Sequence, residues 1–209
     1  MKYLIVGLGN IGYEYVDTRH NVGFSVLDAW AQASNTSFKT ERYGDVAEVK
    51  FKGRTFVLLK PSTYMNLSGK AVSYWLNKTA LPIEKMMVVV DDMALAPGLL
   101  RIRKGGSAGG HNGLGNIAQV LGTENYPRLR VGIGSHIGYG SQVDFVLGKW
   151  TPEEKPIIEA ACKRAISALK SFAMIGIDKT MSEFNKKEVP VVVPPSEDKS
   201  SDKVTSVSQ

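Results

Sequence analysis

Residues 86–90 read MMVVV, a continuous apolar run that leaves no polar position on either face of a strand. Strands of this composition occur in the middle of parallel sheets that helices cover on both sides. A second run, YLIV at 3–6, has the same character, and apolar residues at helical spacing follow it between Asn21 and Ser34. This alternation predicts a single α/β domain with a twisted mixed sheet flanked by helices.

Other segments fit the same architecture. Two β-rich runs on either side of Lys52 and Gly53 predict a hairpin. Helices are predicted near 114–121 and over 152–174. Cys162 falls on the apolar stripe of the second helix, so we expect this cysteine to pack in the core.

The C-terminal end differs in composition from the rest of the chain. Residues 186–209 are rich in Pro, Ser and charged residues and show no periodicity. Such a segment buries too little apolar surface to fold by itself. We therefore predict that residues 1–185 form the domain and that residues 186–209 form a disordered tail.

The overall composition excludes several classes of protein. One cysteine among 209 residues rules out an internal disulfide and favours a reducing compartment. No apolar run approaches the roughly 20 residues that span a bilayer, and the N-terminal run is too short for a signal segment. We therefore expect a cytoplasmic protein. The net charge of +6, from 26 Lys and Arg against 20 Asp and Glu, suits a polyanionic partner without requiring one.

The segment GLGNIG at 7–12 matches the G-x-G-x-x-G pattern of dinucleotide-binding sites. In such sites the helix begins inside the glycine run, so that its amide end meets the pyrophosphate. Here YEYVDTRH intervenes before helical spacing starts, and the acid at the expected distance, Asp28, lies within the predicted helix. The pattern therefore indicates a tight turn, and no nucleotide cofactor is expected.

Polar residues follow the predicted strands at the points where the strands end. Asn10 comes after the first strand, Asn66 follows the strand that ends near Lys60, and Asp91 follows MMVVV directly. If these strands are parallel neighbours, the three side chains converge at one edge of the sheet, and His20 at the start of the first helix can reach them. Each residue could instead serve its own turn or cap.

The chemistry of such a group is that of a metal-independent hydrolase. A histidine can take a proton from water while a carboxylate on its other nitrogen fixes the tautomer, and Asn amides can donate to an oxyanion. No G-x-S-x-G segment is present, so a covalent serine intermediate is not expected. The histidines at 20, 111 and 136 lack zinc-ligand spacing, so no metal is expected.

A second glycine segment, RKGGSAGGHNGLGN at 103–116, precedes a short predicted helix. Amides at the start of such a helix favour anions. Two arginine pairs, Arg101 with Arg103 and Arg128 with Arg130, lie on strands before and after it. If those strands adjoin, four guanidinium groups could line one surface suited to phosphate, or they could form a solvated sheet face. Asn112 could equally be the N-cap of the helix.

Five blocks of the sequence, taken together and in this order, resemble the bacterial peptidyl-tRNA hydrolases. The match runs from the first residues to about Trp150, and the blocks are GLGNIGYEYVDTRHNVGF, LLKPSTYMNLSG, DDMALAPG, RIRKGGSAGGHNG and RLRVGIG. The resemblance implies a monomeric α/β hydrolase that cleaves the ester between a peptide and the 3′ ribose of tRNA. It implies His20 as the general base, Asp91 as its orienting partner, and Asn10 and Asn66 as ligands of the ester and the peptide backbone. Asn112 would complete the site.

The resemblance also implies contacts with the rest of the substrate. Tyr15 matches a position at the mouth of the cleft, and Arg103 and Arg130 match a clamp for the 5′-phosphate of tRNA. The chain departs from the family pattern at three positions that bear on affinity: Ile11 in place of Pro, Ala94 in place of an acid, and Gly115 in place of a frequent Lys. The alternative function is that of a non-catalytic RNA-binding homologue of the splicing-factor type. Plant organelles use such proteins, but no transit sequence is expected here.

Overall fold

The computed structural model describes residues 1–135 and 140–186. Within these two stretches, seven strands form one sheet: β1 Lys2–Gly7, β2 Lys39–Glu41, β3 Gly44–Phe51, β4 Arg54–Pro61, β5 Met86–Asp92, β6 Leu100–Arg103 and β7 Arg128–Gly132. The same residues contain six α-helices: α1 Val22–Ala33, α2 Ser68–Thr79, α3 Asn112–Leu121, α4 Gln142–Leu147, α5 Glu154–Ile175 and α6 Ile177–Phe184. The single α/β domain predicted from the sequence is confirmed. His136 lies outside the described residues, and so do residues 187–209 of the tail predicted over 186–209.

The sheet is mixed, with strand order β2-β3-β4-β1-β5-β7-β6. The central strands β4, β1, β5 and β7 are parallel to one another, whereas β2, β3 and β6 pair antiparallel with their neighbours. Because the carboxyl ends of parallel strands meet at one edge, the residues after β1, β4 and β5 gather there. The turn between β2 and β3 lies at the same edge, since Gly44 pairs with Pro61 at the end of β4.

Two apolar layers pack against the two faces of the sheet. The MMVVV run in β5 divides between them: Met87 and Val89 belong to the layer that contains α1 and α5, and the alternate residues belong to the layer that contains α2 and α3. This division explains why the run has no polar position. Cys162 is buried in the first layer, as expected, and burial raises the pKa of its thiol to about 12.

The predicted elements differ from the observed ones mainly at their ends. The hairpin turns at Lys52 and Gly53, both of which have positive φ angles (44° and 74°), as a two-residue type I′ turn requires. The helix predicted near 114–121 begins earlier, at Asn112. The short elements β2, α4 and α6 were not predicted. None of the helices in the described part of the chain combines the length and the apolarity needed to cross a bilayer.

The glycines of GLGNIG serve packing and turning. A Cβ at Gly7 would collide with the carbonyl oxygen of Gly23 in α1, and a Cβ at Gly9 would lie 2.8 Å from the ring of Phe24. Gly12 has a φ of 115°, which L-residues rarely adopt. Helix α1 starts only at Val22. The dinucleotide interpretation is therefore excluded by the distance between the glycines and the helix start.

Candidate active site

His20 and Asp91 are in contact at the carboxyl edge of the sheet. His20 lies in a short 3-10 helix that leads into α1, and Asp91 lies near the end of β5. Nδ1 of His20 is 3.0 and 3.1 Å from the two carboxylate oxygens of Asp91, which is only 3% exposed. Because Nδ1 faces a carboxylate, the neutral imidazole carries its hydrogen there and keeps a lone pair on Nε2.

A second imidazole, which the sequence did not single out, contacts the same carboxylate. Nε2 of His111 lies 2.9 Å from Oδ1 of Asp91, and the two histidine rings are 5.0 Å apart. Nδ1 of His111 accepts hydrogen bonds from the backbone amides of Gly113 and Leu114, so His111 is the N-cap of α3. Asn112, which the sequence offered as the N-cap, is instead the first residue of the helix.

The cap decides the tautomer of His111. Because Nδ1 accepts from two amides, the hydrogen of the neutral ring must sit on Nε2, where it is donated to Asp91. The lone pair of His111 Nδ1 is thus already occupied by the amides, whereas that of His20 Nε2 is the one we infer to act as a base.

The two histidines also act on Asp91. Burial by itself would raise the pKa of this carboxyl, but charge and hydrogen bonding from His111, and then from His20, hold the pKa well below its usual range. Asp91 is thus an ionised group in a nearly dry environment. Such a group stabilises positive charge that develops on the imidazole of His20.

The same three side chains are of types that bind metal ions, and their nitrogen and oxygen atoms lie within 4.8 Å of one another. Their hydrogen bonds, however, do not suit a metal. A metal at Nε2 of His111 would force the ring hydrogen onto Nδ1, against the amides of Gly113 and Leu114. The spacing of histidines along the chain could not show that His20 and His111 contact the same carboxylate. The hydrogen bonds of the His111 cap support the expectation that the cluster works without a metal.

Asn10 is held by a neighbour that sequence reasoning missed. The backbone amide of Asn10 donates to Oδ1 of Asn21 (2.8 Å), and Nδ2 of Asn21 donates to the carbonyl of Asn10 (2.9 Å). Oδ1 of Asn10 accepts from the amide of Met65 (2.9 Å). The side-chain orientation is therefore fixed, and the NH2 group of Asn10 remains as a donor that points away from Met65.

The other predicted site residues divide between a cleft and its surroundings. The cleft has a volume of about 780 Å³, and its lining includes His20, Asp91, His111, Asn112 and Arg130. Asn10 lines a neighbouring groove of about 400 Å³. Asn66 is exposed next to Met65, and Tyr15 is half-buried in the short helix before His20. The positions of departure are more peripheral: Ile11 is exposed beside Asn10, the Ala94 amide donates to Asp92, and Gly115 lies inside α3.

The four predicted arginines lie on one face of β6 and β7 but differ in burial and in their contacts. Arg101 pairs with Arg130, and Arg103 pairs with Arg128. Arg128 is 1% exposed, and its guanidinium donates to the carbonyls of Gly106, Ser107 and Glu124. The expectation of four surface guanidiniums is therefore wrong for Arg128, which holds the second glycine segment in place. Nε of Arg130 lies 3.1 Å from Asp92, and Arg103 is exposed.

A model of the peptidyl-tRNA hydrolase family matches residues 4–191. The chain belongs to this family. It is 55% identical to the peptidyl-tRNA hydrolase of Bacteroides fragilis over 187 residues, which cover 90% of this chain and 100% of the relative. It is 52% identical to that of Cytophaga hutchinsonii, again over 90% of this chain and 100% of the relative. The crystal structure of the Acinetobacter baumannii peptidyl-tRNA hydrolase superposes with a TM-score of 0.80 at 34% identity, covering 88% of this chain and 94% of that one.

Arg19 is a further residue that sequence reasoning missed in this peptidyl-tRNA hydrolase family member. It is fully buried, donates to Glu154 (2.7 Å) and to the carbonyl of Lys149 (3.0 Å), and lies over the rings of Phe145 and Trp150. These contacts hold the turn that contains His20 against α4 and the start of α5. The available signal for the missed residues was their position in the chain. Each of them is next to a predicted site residue: Arg19 and Asn21 flank His20, and His111 precedes Asn112.

Proposed function

We propose that this protein hydrolyses the ester that joins a peptide or an N-acylated amino acid to the 3′ ribose of tRNA, and so recycles tRNA from peptidyl-tRNA that ribosomes release prematurely. The observation that carries the proposal is the contact of His20 Nδ1 with Asp91, which leaves Nε2 as a base beside a cleft of about 780 Å³. Membership of the family supports the choice of substrate.

In the proposed mechanism His20 is a general base and then a general acid. Its Nε2 takes a proton from a water molecule as the water oxygen bonds to the ester carbonyl carbon. Asp91 stabilises the resulting imidazolium through Nδ1. The tetrahedral intermediate then collapses, the bond to the 3′ oxygen breaks, and the imidazolium returns its proton to that oxygen. The products are a peptide carboxylic acid, which loses its proton to solvent, and a tRNA with a free 3′ hydroxyl.

The asparagines are proposed to bind the reacting ester and the peptide. The NH2 group of Asn10 donates to the developing oxyanion, because its Oδ1 is already occupied by the Met65 amide. Asn66 and Asn112 bind the ester and the peptide backbone, and Tyr15 lines the mouth. Recognition through the backbone makes the reaction indifferent to peptide sequence.

The test is an assay of purified protein with N-acetyl-aminoacyl-tRNA in the presence of EDTA. We expect release of the acyl amino acid without added metal and at the same rate with and without the chelator. The reason is that the His111 cap keeps its Nε2 protonated. Aminoacyl-tRNA with a free amino group is the matched control and should react much more slowly. No release under any condition would favour the non-catalytic RNA-binding alternative, and loss of release in EDTA would contradict the metal-free mechanism.

Arg103 and Arg130 are proposed to clamp the 5′-phosphate of tRNA. Replacing either by Gln should weaken tRNA binding and reduce the slope of log K against log salt by about one, the effect of one lost phosphate contact. Titrations of deacylated tRNA at several salt concentrations measure this slope. Arg101→Gln is the matched control because Arg101 lies directly opposite Arg130. A larger change in the salt slope for Arg101→Gln than for Arg103→Gln would indicate that Arg101, and not Arg103, contacts the phosphate.

The proposed working unit is a monomer in the cytoplasm. The contacts that arrange His20, Asp91, His111 and Asn10 all lie within one chain. Sedimentation of the protein with and without tRNA measures the oligomeric state.

A further inference from the structure

A cluster of exposed cations and half-buried tyrosines lies at the turn between β2 and β3 and on the adjoining helix α2. We call it the α2 patch, and it consists of Arg42, Tyr43, Lys70, Tyr74 and Lys78. The Arg42 guanidinium is 5.1 Å from the ring centre of Tyr43 and 5.3 Å from that of Tyr74. Nζ of Lys70 is 5.0 Å from the Tyr43 ring, and the two tyrosine rings pack edge to face at 5.3 Å. These distances are those of cation–π pairs.

The turn presents Tyr43 in an unusual backbone conformation. Its φ is 64°, a region that glycine adopts freely but that an aromatic residue adopts only under strain. Two hydrogen bonds hold it there: Nε1 of the buried Trp75 donates to the carbonyl of Arg42 (3.0 Å), and the amide of Ser62 donates to the carbonyl of Tyr43 (3.0 Å). The fold thus keeps a bulky ring at a position where glycine would relax the backbone.

The α2 patch is joined to the candidate active site by a short stretch of chain. Ser62, which binds the Tyr43 carbonyl, begins the segment in which the Met65 amide donates to Asn10. The strand order puts the patch on the β3–β4 side of β1, whereas Arg130 lies on the β7 side. The patch therefore flanks the site opposite the arginine strands.

The charge and shape of the patch fit unpaired nucleotides. Of the three cations, Lys78 is paired with Glu41 (3.3 Å), whereas Arg42 and Lys70 lie against the tyrosine rings. Where cations lie beside partly exposed aromatic rings, the cations bind phosphates and the rings stack with bases, and only unpaired bases are open to stacking. A peptide of arbitrary sequence offers neither a regular array of negative charges nor a series of flat rings.

We propose that the α2 patch binds unpaired nucleotides at the 3′ end of the tRNA, next to the ester; this inference rests on the proposed function. Tyr43 and Tyr74 stack with bases, and Arg42 and Lys70 contact phosphates. The patch thereby determines affinity for the RNA part of the substrate, while the chemical step stays with His20 and Asp91.

The test uses Tyr43→Gly and Lys70→Glu in the full chain, with Lys50→Glu as the matched charge control. Lys50 is exposed at the opposite end of β3. Tyr43→Gly removes the ring and relieves the positive φ, so the fold should be retained, which thermal unfolding verifies. With N-acetyl-aminoacyl-tRNA, we expect both patch variants to raise KM by about fivefold to tenfold, as the loss of one stacked base does, with kcat unchanged. The control should stay within about twofold.

Direct binding of deacylated tRNA separates this inference from the proposed function, because it needs no hydrolysis. Full-length tRNA should bind the patch variants about fivefold to tenfold more weakly than wild type, whereas tRNA that lacks its unpaired 3′ nucleotides should bind all of them equally. Equal binding of full-length tRNA to all variants would overturn the assignment. So would an equal weakening for both RNAs, or an effect that arises only with long peptides and not with the N-acetyl substrate, which would indicate a peptide surface.

Discussion

His20→Ala should reduce kcat for N-acetyl-aminoacyl-tRNA by about a thousandfold or more, while the affinity for tRNA stays close to that of wild type. General-base catalysis contributes about 10²–10⁴ to rate, and His111 cannot take over, because its Nδ1 is held by two amides of α3. Single-turnover kinetics give the chemical rate, and titration with deacylated tRNA gives the affinity.

Two further measurements distinguish a lost base from a damaged fold. Added imidazole should restore part of the rate of His20→Ala, because the deleted ring leaves space beside Asp91. His20→Phe keeps a ring of similar size without the nitrogens and should not be rescued. Near-normal turnover by His20→Ala would remove this residue from its proposed role.

Asp91→Asn should reduce kcat by about a thousandfold to ten-thousandfold with little change in protein size or packing. Asp91 accepts hydrogen bonds from both His20 Nδ1 and His111 Nε2. Both imidazoles contact Oδ1, but His20 Nδ1 also lies 3.1 Å from Oδ2, so an asparagine whose oxygen stays with His111 places its NH2 group against Nδ1 of His20. Because the cap fixes His111, His20 is expected to reverse its tautomer and lose its basic Nε2, as happens when the carboxylate of a catalytic triad becomes an amide.

Asp92→Asn is the matched control, since it removes the same charge from the neighbouring position. Asp92 contacts Arg130 and the Ala94 amide rather than either imidazole in the part of the chain that the structure describes, so kcat should stay within about threefold. NMR of the imidazole nitrogens reports the tautomers of His20 and His111 directly. A similar kcat for Asp91→Asn and wild type would contradict the orienting role.

The sequence predicted the fold class because the apolar period of each long element records which of its faces are covered. MMVVV in β5 and the stripe of α5 are long enough to carry such a period. The elements that escaped prediction are short: β2 spans Lys39–Glu41 with all three residues exposed, and α4 spans Gln142–Leu147. A few residues cannot define a period, and a fully exposed edge strand has no apolar face to record.

The location of the candidate site could be predicted in part from the order of strands and loops in the sequence. Asn10 and Asn66 follow strands, and Asp91 lies near the end of one. The carboxyl ends of these strands meet in a parallel sheet, so the convergence of the three residues could be expected from the sequence. The resemblance then supplied roles for them. Neither source indicated that Asn21 holds the backbone of Asn10, because this contact depends on how the turn after β1 folds against the start of α1.

The sequence by itself determined the α/β class, the edge at which the site forms and the residue types available there. The tertiary structure alone decided that two imidazoles share one carboxylate, because Nε2 of His111 reaches Asp91 only when the start of α3 docks beside β5. It also decided that Arg128 is buried and Arg130 is not, although both lie on the same face of β7. Periodicity is a property of neighbours along the chain, whereas protonation and exposure depend on groups that only folding brings together.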